Sequence, residues 1–273
     1  YGSGRTCAGF ADFVQMSGCK GKIHIINSRF EGAQDDPINV HGTHLKVIAY
    51  EPGNKIVVRF MHPQSYGFEA FFPGDEVEFT EIHSLQCLHK ASVLKVERIN
   101  DYDCKLTLNS SVPSILPQQE VVIENITWTP EVEIRNNYFA RTPTRGILVT
   151  TRRKVIIENN VFYRTPMSAI AVSNDALSWY ESGPVHDLTI RNNHFIECGS
   201  PVINIAPENN RPNGTVHKGI RIENNRFTLK DKQAIYARWT DNIRISGNYF
   251  DGIYPISTKE SVLLEHCTNV ENE

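Results

Sequence analysis

The chain has 273 residues, 40% of them hydrophobic, and a formal net charge of -3, so it can bury a large core in one long domain or two ordinary ones. The mildly acidic balance gives no basic footprint for nucleic acid, and no apolar run reaches the about 18 residues needed for a membrane span. Neither a nucleic-acid partner nor a membrane span is therefore expected.

The chain opens Tyr1-Gly2-Ser3-Gly4-Arg5 without a charged-then-apolar leader, and it starts inside the pattern described below, so a removed start is expected. Cys7, Cys19, Cys87, Cys104, Cys198 and Cys267 include no close pair with metal-ligand spacing. Cys87 and Cys104 either face one another across a hairpin as a disulfide or stand as isolated thiols.

Asp12 comes first, leading into Val14 and Met16. An eight-residue phrase follows and recurs six times: IHIINSRF ending at Phe30, VEIRNNYF at Phe139, VIIENNVF at Phe162, LTIRNNHF at Phe195, IRIENNRF at Phe227 and IRISGNYF at Phe250. The Phe-to-Phe steps of 109, 23, 33, 32 and 23 residues read as a period of 23 with insertions of 86, 10 and 9, and about 23 residues make one coil of a parallel β-helix. Five and seven residues before each Phe the side chains are aliphatic (Ile23 and Ile25, Val132 and Ile134, Val155 and Ile157, Leu188 and Ile190, Ile220 and Ile222, Ile243 and Ile245), which is the period of a strand with one buried face.

Three before the Phe stand Asn27, Asn136, Asn159, Asn192, Asn224 and then Gly247, residues that tolerate a left-handed backbone. Stacked at a corner, these asparagines are expected to form a ladder. Eight and ten after the Phe a second strand follows: Ile38 and Val40, Ile147 and Val149, Ile170 and Val172, Ile203 and Ile205, Ile235 and Ala237. No segment sustains helical spacing. The fold class is all-β, a right-handed parallel β-helix.

After the second strand of its first full coil the chain leaves for an 86-residue insertion. Leu45 to Tyr50, a turn at Glu51-Pro52-Gly53-Asn54 and Lys55 to Phe60 read as a hairpin, and Pro73-Gly74-Asp75 as a further turn, so a small antiparallel β-barrel is expected. The organisation is then helix coils over 1–43, the barrel over 44–125 and helix coils over 126–273. The barrel either walls one side of a groove or binds a ligand itself. The shorter insertions, at 173–181 and 206–211, leave from the same corner, where loops on a rigid scaffold collect binding groups. Trp179 and Tyr180 in the first of them stack on a sugar face or cap the helix side.

Between the first Phe and the second strand stand Asp35 and Asp36. Alone, adjacent aspartates read as a solvated turn. The repeat changes this, because Asp12 precedes Val14 and Met16 by the offsets with which Asp36 precedes Ile38 and Val40, so the two stack in one column. With coils about 4.8 Å apart, three carboxyl groups crowd one patch and at least one pKa must rise. Arg145 follows in the same column. Such a patch suits glycoside cleavage, with a protonated carboxyl for the leaving oxygen and a carboxylate for water; calcium binding is the competing use. Asp35 and Asp36 can share a cleft only if the backbone is bulged there. His41 contacts substrate, orders the groups around Asp36 or is structural; Asn39 and Asn174 are further candidates.

Asp12 in Ala11-Asp12-Phe13, the run Asp35-Asp36-Pro37-Ile38-Asn39-Val40-His41-Gly42-Thr43, the barrel straight after it and Gly146 to Arg153 together resemble glycoside hydrolase family 110. The resemblance covers nearly the whole chain. It implies an exo-acting, inverting α-1,3-galactosidase without metal or other cofactor, acting on glycans with terminal α-galactose, of blood-group-B type or linear. It further implies that Asp35 is the general acid and that Asp12 and Asp36 hold the attacking water; His41, Arg145, Asn174 and Trp179 are the expected substrate-binding set. A bacterial, secreted or periplasmic protein is expected, and one whose family extends further on the N-terminal side. The alternatives are another β-helix glycan hydrolase or a lyase, for which Arg145, Arg152 and Arg153 could meet carboxylates, and a non-catalytic glycan-binding β-helix.

Overall fold

The computed structural model describes residues 7–252 and 258–273. Three parallel sheets run along the molecule. The first stacks seven strands in the order Lys22–Ile26, Glu131–Arg135, Lys154–Glu158, Asp187–Arg191, His217–Glu223, Thr240–Ser246 and Thr268–Asn272. In it Ile23 pairs with Val132, Val132 with Val155, Leu188 with Ile220 and Ile220 with Ile243, so the aliphatic columns read from the sequence coincide with the ladder register. The third sheet stacks Val14–Ser17, Ile38–Thr43, Ile147–Val149, Ile170–Val172, Ile203–Ile205, Ile235–Arg238 and Val262–Glu265. The two aliphatic faces and the Phe column fill one continuous core.

Between them lies a six-stranded sheet that sequence reasoning did not separate. Its members, from Arg29–Glu31 to Tyr249–Gly252, are three or four residues long, too short for a period-2 pattern to show, and each contains a phrase-ending Phe. The rings stack coil upon coil, with centroids 5.1, 4.7, 5.1, 4.8 and 5.1 Å apart from Phe30 to Phe250, which matches the strand spacing.

The corner between the first and second sheets corrects the expected asparagine ladder by one residue. Asn27, Asn136, Asn159, Asn192 and Asn224 do turn the backbone left-handed, at φ 54, 55, 56, 54 and 54°, and Gly247 does so at 63°. The hydrogen-bonded ladder is formed by their neighbours Asn137, Asn160, Asn193, Asn225 and Asn248. Asn160, for example, donates its backbone N–H and its Nδ2 to Asn193 Oδ1 (2.9 and 3.0 Å), and its Nδ2 also reaches the carbonyl of Ile134 at 2.9 Å. These side chains point inward and satisfy the backbone groups that the corner leaves unpaired.

The insertion is a closed barrel of six strands, in the order Val121–Asn125, Leu45–Glu51, Lys55–Phe60, Asp103–Leu108, Cys87–Arg98 and Glu76–Glu81, with its own core around Leu45, Ile56, Phe79, Leu106 and Ile123. Closure leaves no strand edge exposed. The barrel seats on the helix through an apolar cluster of Ile82, Leu85, Val122, Ala176, Tyr180 and Val216, and through Arg152, whose guanidinium lies between Glu78 and Glu124. Cys87 is paired with Thr80, whereas Cys104 is paired with Val58 and Arg98, so these two cysteines do not face one another and all six thiols are free. Among the described residues the helical pieces are one 3-10 turn at Leu116–Gln118 and one turn of α-helix at Thr258–Ser261.

Candidate active site

The third sheet builds the site. Val14 pairs with Ile38, and Ile38 with Ile147, so the residues two before each of these, Asp12, Asp36 and Arg145, follow one another up the helix. Asp35 and Asp36 lie in an irregular bend before the strand Ile38–Thr43, and the alternation rule that would send neighbours to opposite faces does not hold there. Asp36 is tucked in at 1% exposure while Asp35 is exposed, yet both border one cavity of about 620 Å³ together with Asp12 and Arg145.

Asp36 is held from several directions. Its Oδ1 accepts the Thr144 hydroxyl at 2.6 Å and the Arg145 backbone N–H at 3.1 Å, and the Arg145 guanidinium adds Nε at 3.0 Å and Nη2 at 2.9 Å on Oδ2. Such forked bonding fixes the position of the carboxyl. Asp35 Oδ1 accepts the backbone N–H of Asp36 at 3.0 Å. The Asp12 carboxyl is pushed up to about 6 by burial and then by the charges of Asp36 and Asp35, with a smaller push from Glu181 and an opposing hydrogen bond from Asn39. Burial first, and the neighbouring acids of the column second, thus raise this pKa.

The remaining walls come from the insertions. Trp179 is 53% exposed at the cavity and its ring lies 4.5 Å from that of His62, on the barrel loop that also brings Gln64 and Ser65 to the cavity. Asp175 caps its own loop, accepting the backbone N–H groups of Leu177, Ser178, Trp179 and Tyr180. Glu208 and Asn210 close the side formed by the later insertion.

Two of the expected substrate-binding residues stand apart from the cavity. His41 is buried: Nδ1 bonds the carbonyl of Gly42 at 2.6 Å and Nε2 faces Glu181 at 3.4 Å, so it stands behind the wall. Asn174, also buried and at φ 133°, accepts the backbone N–H of Gly183 at 3.2 Å and closes the base of the Trp179 loop. Arg152, expected in the groove, is locked into the barrel contact with its side chain 8% exposed, and Arg153 does not line the cavity.

Sequence reasoning missed Gln15 and Glu181 and underweighted Asn39. The signal for two of these was present: Gln15 and Asn39 each sit between the buried pair of a third-sheet strand, so they face outward beside the acid column. Glu181 had no such signal, because a loop of unpredictable path delivers it.

Two family models match the chain, the GLAA-B beta-barrel domain II over residues 55–122 and the right handed beta helix region over residues 121–250. Among curated relatives, an alpha-1,3-galactosidase A of Bacteroides thetaiotaomicron is 53% identical over 98% of this chain and 48% of its own length. One of Akkermansia muciniphila is 44% identical over 90% of this chain and 41% of its own, and an alpha-1,3-galactosidase B of Bacteroides fragilis is 35% identical over 96% and 48%. The chain thus spans about half the length of the curated relatives it matches. A β-helix interrupted by this barrel type, together with 35–53% identity over nearly all of its residues, makes the chain similar to the matching part of these alpha-1,3-galactosidases, in agreement with the resemblance to glycoside hydrolase family 110 read from its sequence.

Proposed function

We propose that the cavity is the active site of an exo-acting α-1,3-galactosidase that works with inversion, removing terminal α-galactose from glycans of blood-group-B or linear type. The observation that carries this reading is the convergence of Asp12, Asp35, Asp36 and Arg145 on one cavity wall. Asp35, exposed on its bend, donates a proton to the glycosidic oxygen. Asp12 and Asp36 hold a water against the opposite face of the sugar, and Asp12 accepts its proton as the water attacks the anomeric carbon. Arg145 holds the Asp36 carboxyl correctly aimed. Inversion requires two carboxyl groups about 6.5 to 9.5 Å apart, a gap that a residue pair from adjacent coils and offset chain positions suits. Trp179 supplies an apolar face for the sugar ring.

One observation favours a second assignment within the same reaction. Asp12, pushed up to about 6, carries a proton more readily than an ordinary aspartate and could be the donor, with Asp36 holding the water. An aryl α-galactoside with a good leaving group separates the two, since the variant lacking the acid recovers cleavage and the variant lacking the base does not. The reaction itself is tested with Galα1-3Gal and proton NMR. Initial release of β-galactose that is lost in Asp35→Asn and unaffected by chelator supports the proposal; initial release of α-galactose, or none, overturns it.

A further inference from the structure

We propose that Glu181 is a specificity-determining residue of this site, a carboxylate that accepts hydroxyl hydrogens from the terminal sugar, anchored from behind by Asn39 and His41. The inference rests on the glycosidase reading above and adds to it the ligand chemistry of a residue outside the acid column: a neutral terminal sugar with unsubstituted hydroxyls.

The position of Glu181 is set by rigid structure. Glu181–Ser182 forms a two-residue strand antiparallel to Ile38–Thr43, with Glu181 opposite Thr43 and Ser182 opposite Gly42. Ser182 is fully buried, and the absence of a side chain at Gly42 is what lets it approach, because a Cβ there would collide with Ser182 Oγ and come within 2.9 Å of Glu124 Oε1. On the other side, the four N–H groups capped by Asp175 fix the turn from Leu177 to Tyr180 that leads into it.

The bonding of Glu181 is half complete. Oε1 accepts Asn39 Nδ2 at 3.1 Å and faces His41 Nε2 at 3.4 Å, while Oε2 makes no hydrogen bond among the described residues and the side chain, 16% exposed, lines the cavity. Among the described residues no lysine or arginine forms an ion pair with it, although Asp12, Asp35 and Asp36 stand on the same wall. Asn39, 5% exposed and also lining the cavity, has a buried Oδ1 without any partner. A preorganised carboxylate among other carboxylates, with one oxygen and a neighbouring amide oxygen unsatisfied, is costly unless a ligand supplies donors. Sugar hydroxyls are such donors, and a carboxylate can take two of them. Anionic terminal sugars bring the wrong charge.

The test uses Glu181→Gln, which keeps shape and size, with circular dichroism and melting to confirm folding. Hydrolysis of Galα1-3Gal gives KM and kcat, and calorimetry gives the affinity of methyl α-galactoside and its 2-, 4- and 6-deoxy analogues for both proteins. A lost charge-assisted hydrogen bond is expected to raise KM on the order of 10- to 100-fold with kcat changed far less. One deoxy analogue is expected to bind the wild type that much more weakly and to lose no further affinity in Glu181→Gln. A merely structural Glu181 would not couple to a single sugar hydroxyl. An unchanged KM, or deoxy penalties that persist in the variant, overturns this inference alone. Wild-type protein that binds galactosides without cleaving them overturns the reaction while the deoxy comparison still decides on Glu181, and absence of binding by the wild type overturns both.

Discussion

Asn193→Ala tests what holds the β-helix corner together. Asn193 is 1% exposed, and its Oδ1 accepts both the backbone N–H and Nδ2 of Asn160 while its Nδ2 donates to the Ile157 carbonyl (2.9 Å) and to Asn225 Oδ1 (3.0 Å). Truncation leaves two Asn160 donors buried and without that partner, at about 1–3 kcal/mol each, so a loss of about 3 kcal/mol is expected. For a chain of this size that corresponds to a fall in Tm of roughly 6–12 °C. The control is Asn192→Gly next door. Asn192 is exposed at φ 54°, where glycine is at ease, so its replacement is expected to change stability by no more than about 0.5 kcal/mol. Urea unfolding and thermal melting of both variants measure the difference. A cost for Asn193→Ala no larger than that for Asn192→Gly would refute the assignment of the ladder to the second asparagine of each phrase.

Other perturbations reach the site and the barrel. Because the fold raises the Asp12 pKa from 3.8 to about 6, it favours the protonated form, so the stability contributed is full below about pH 4 and is lost as pH rises through about 6. Asp12→Asn is therefore expected to flatten that decline and melt higher than the wild type at pH 7, while losing hydrolysis; urea titrations at pH 4, 5, 6 and 7 check the first part. Arg152→Met leaves Glu78 and Glu124 facing each other without their shared cation, and a loss of about 3–5 kcal/mol is expected by thermal melting, the cost of breaking a buried pair. Trp179→Ala removes an exposed ring face worth about 1 kcal/mol of stacking, which predicts a KM up about 5- to 10-fold with unchanged melting.

The parts of this protein that were legible in the sequence are those repeated once per coil. The aliphatic pairs and the Phe column fix the register of every coil, and with it the succession of Asp12, Asp36 and Arg145. Adjacent positions of identical type were not separable: four of the six phrases carry two consecutive asparagines, and alternation alone does not say which of Asn192 and Asn193 turns the chain and which bonds across it. The shared cleft of Asp35 and Asp36 was illegible for a related reason, since the bend that relaxes strand parity depends on how the helix turns its corner. His41 and Asn174, candidates for substrate binding, are buried against Gly42 and Gly183 and do not line the cavity, a burial that single positions outside the repeated columns do not announce.

The charge of the cavity decides between sugar classes. Of the three arginines that could have met a uronate, Arg145 is committed to Asp36 through both Nε and Nη2, Arg152 is buried between Glu78 and Glu124, and Arg153 lies off the cavity. Against these stand Asp12, Asp35, Glu181 and Glu208 on the cavity wall without an arginine or lysine partner among the described residues. At the short distances of a sugar-sized site, each of these acids that is ionised repels an incoming carboxylate by about 1 kcal/mol even at the dielectric of water and by more in a partly enclosed cavity. Methyl α-galacturonide is therefore expected to bind at least about 100-fold more weakly than methyl α-galactoside, with a gap that narrows as salt is raised. Equal affinities in calorimetry would mean that an unrecognised cation reaches the site, and would return the uronate-cleaving alternative to first place.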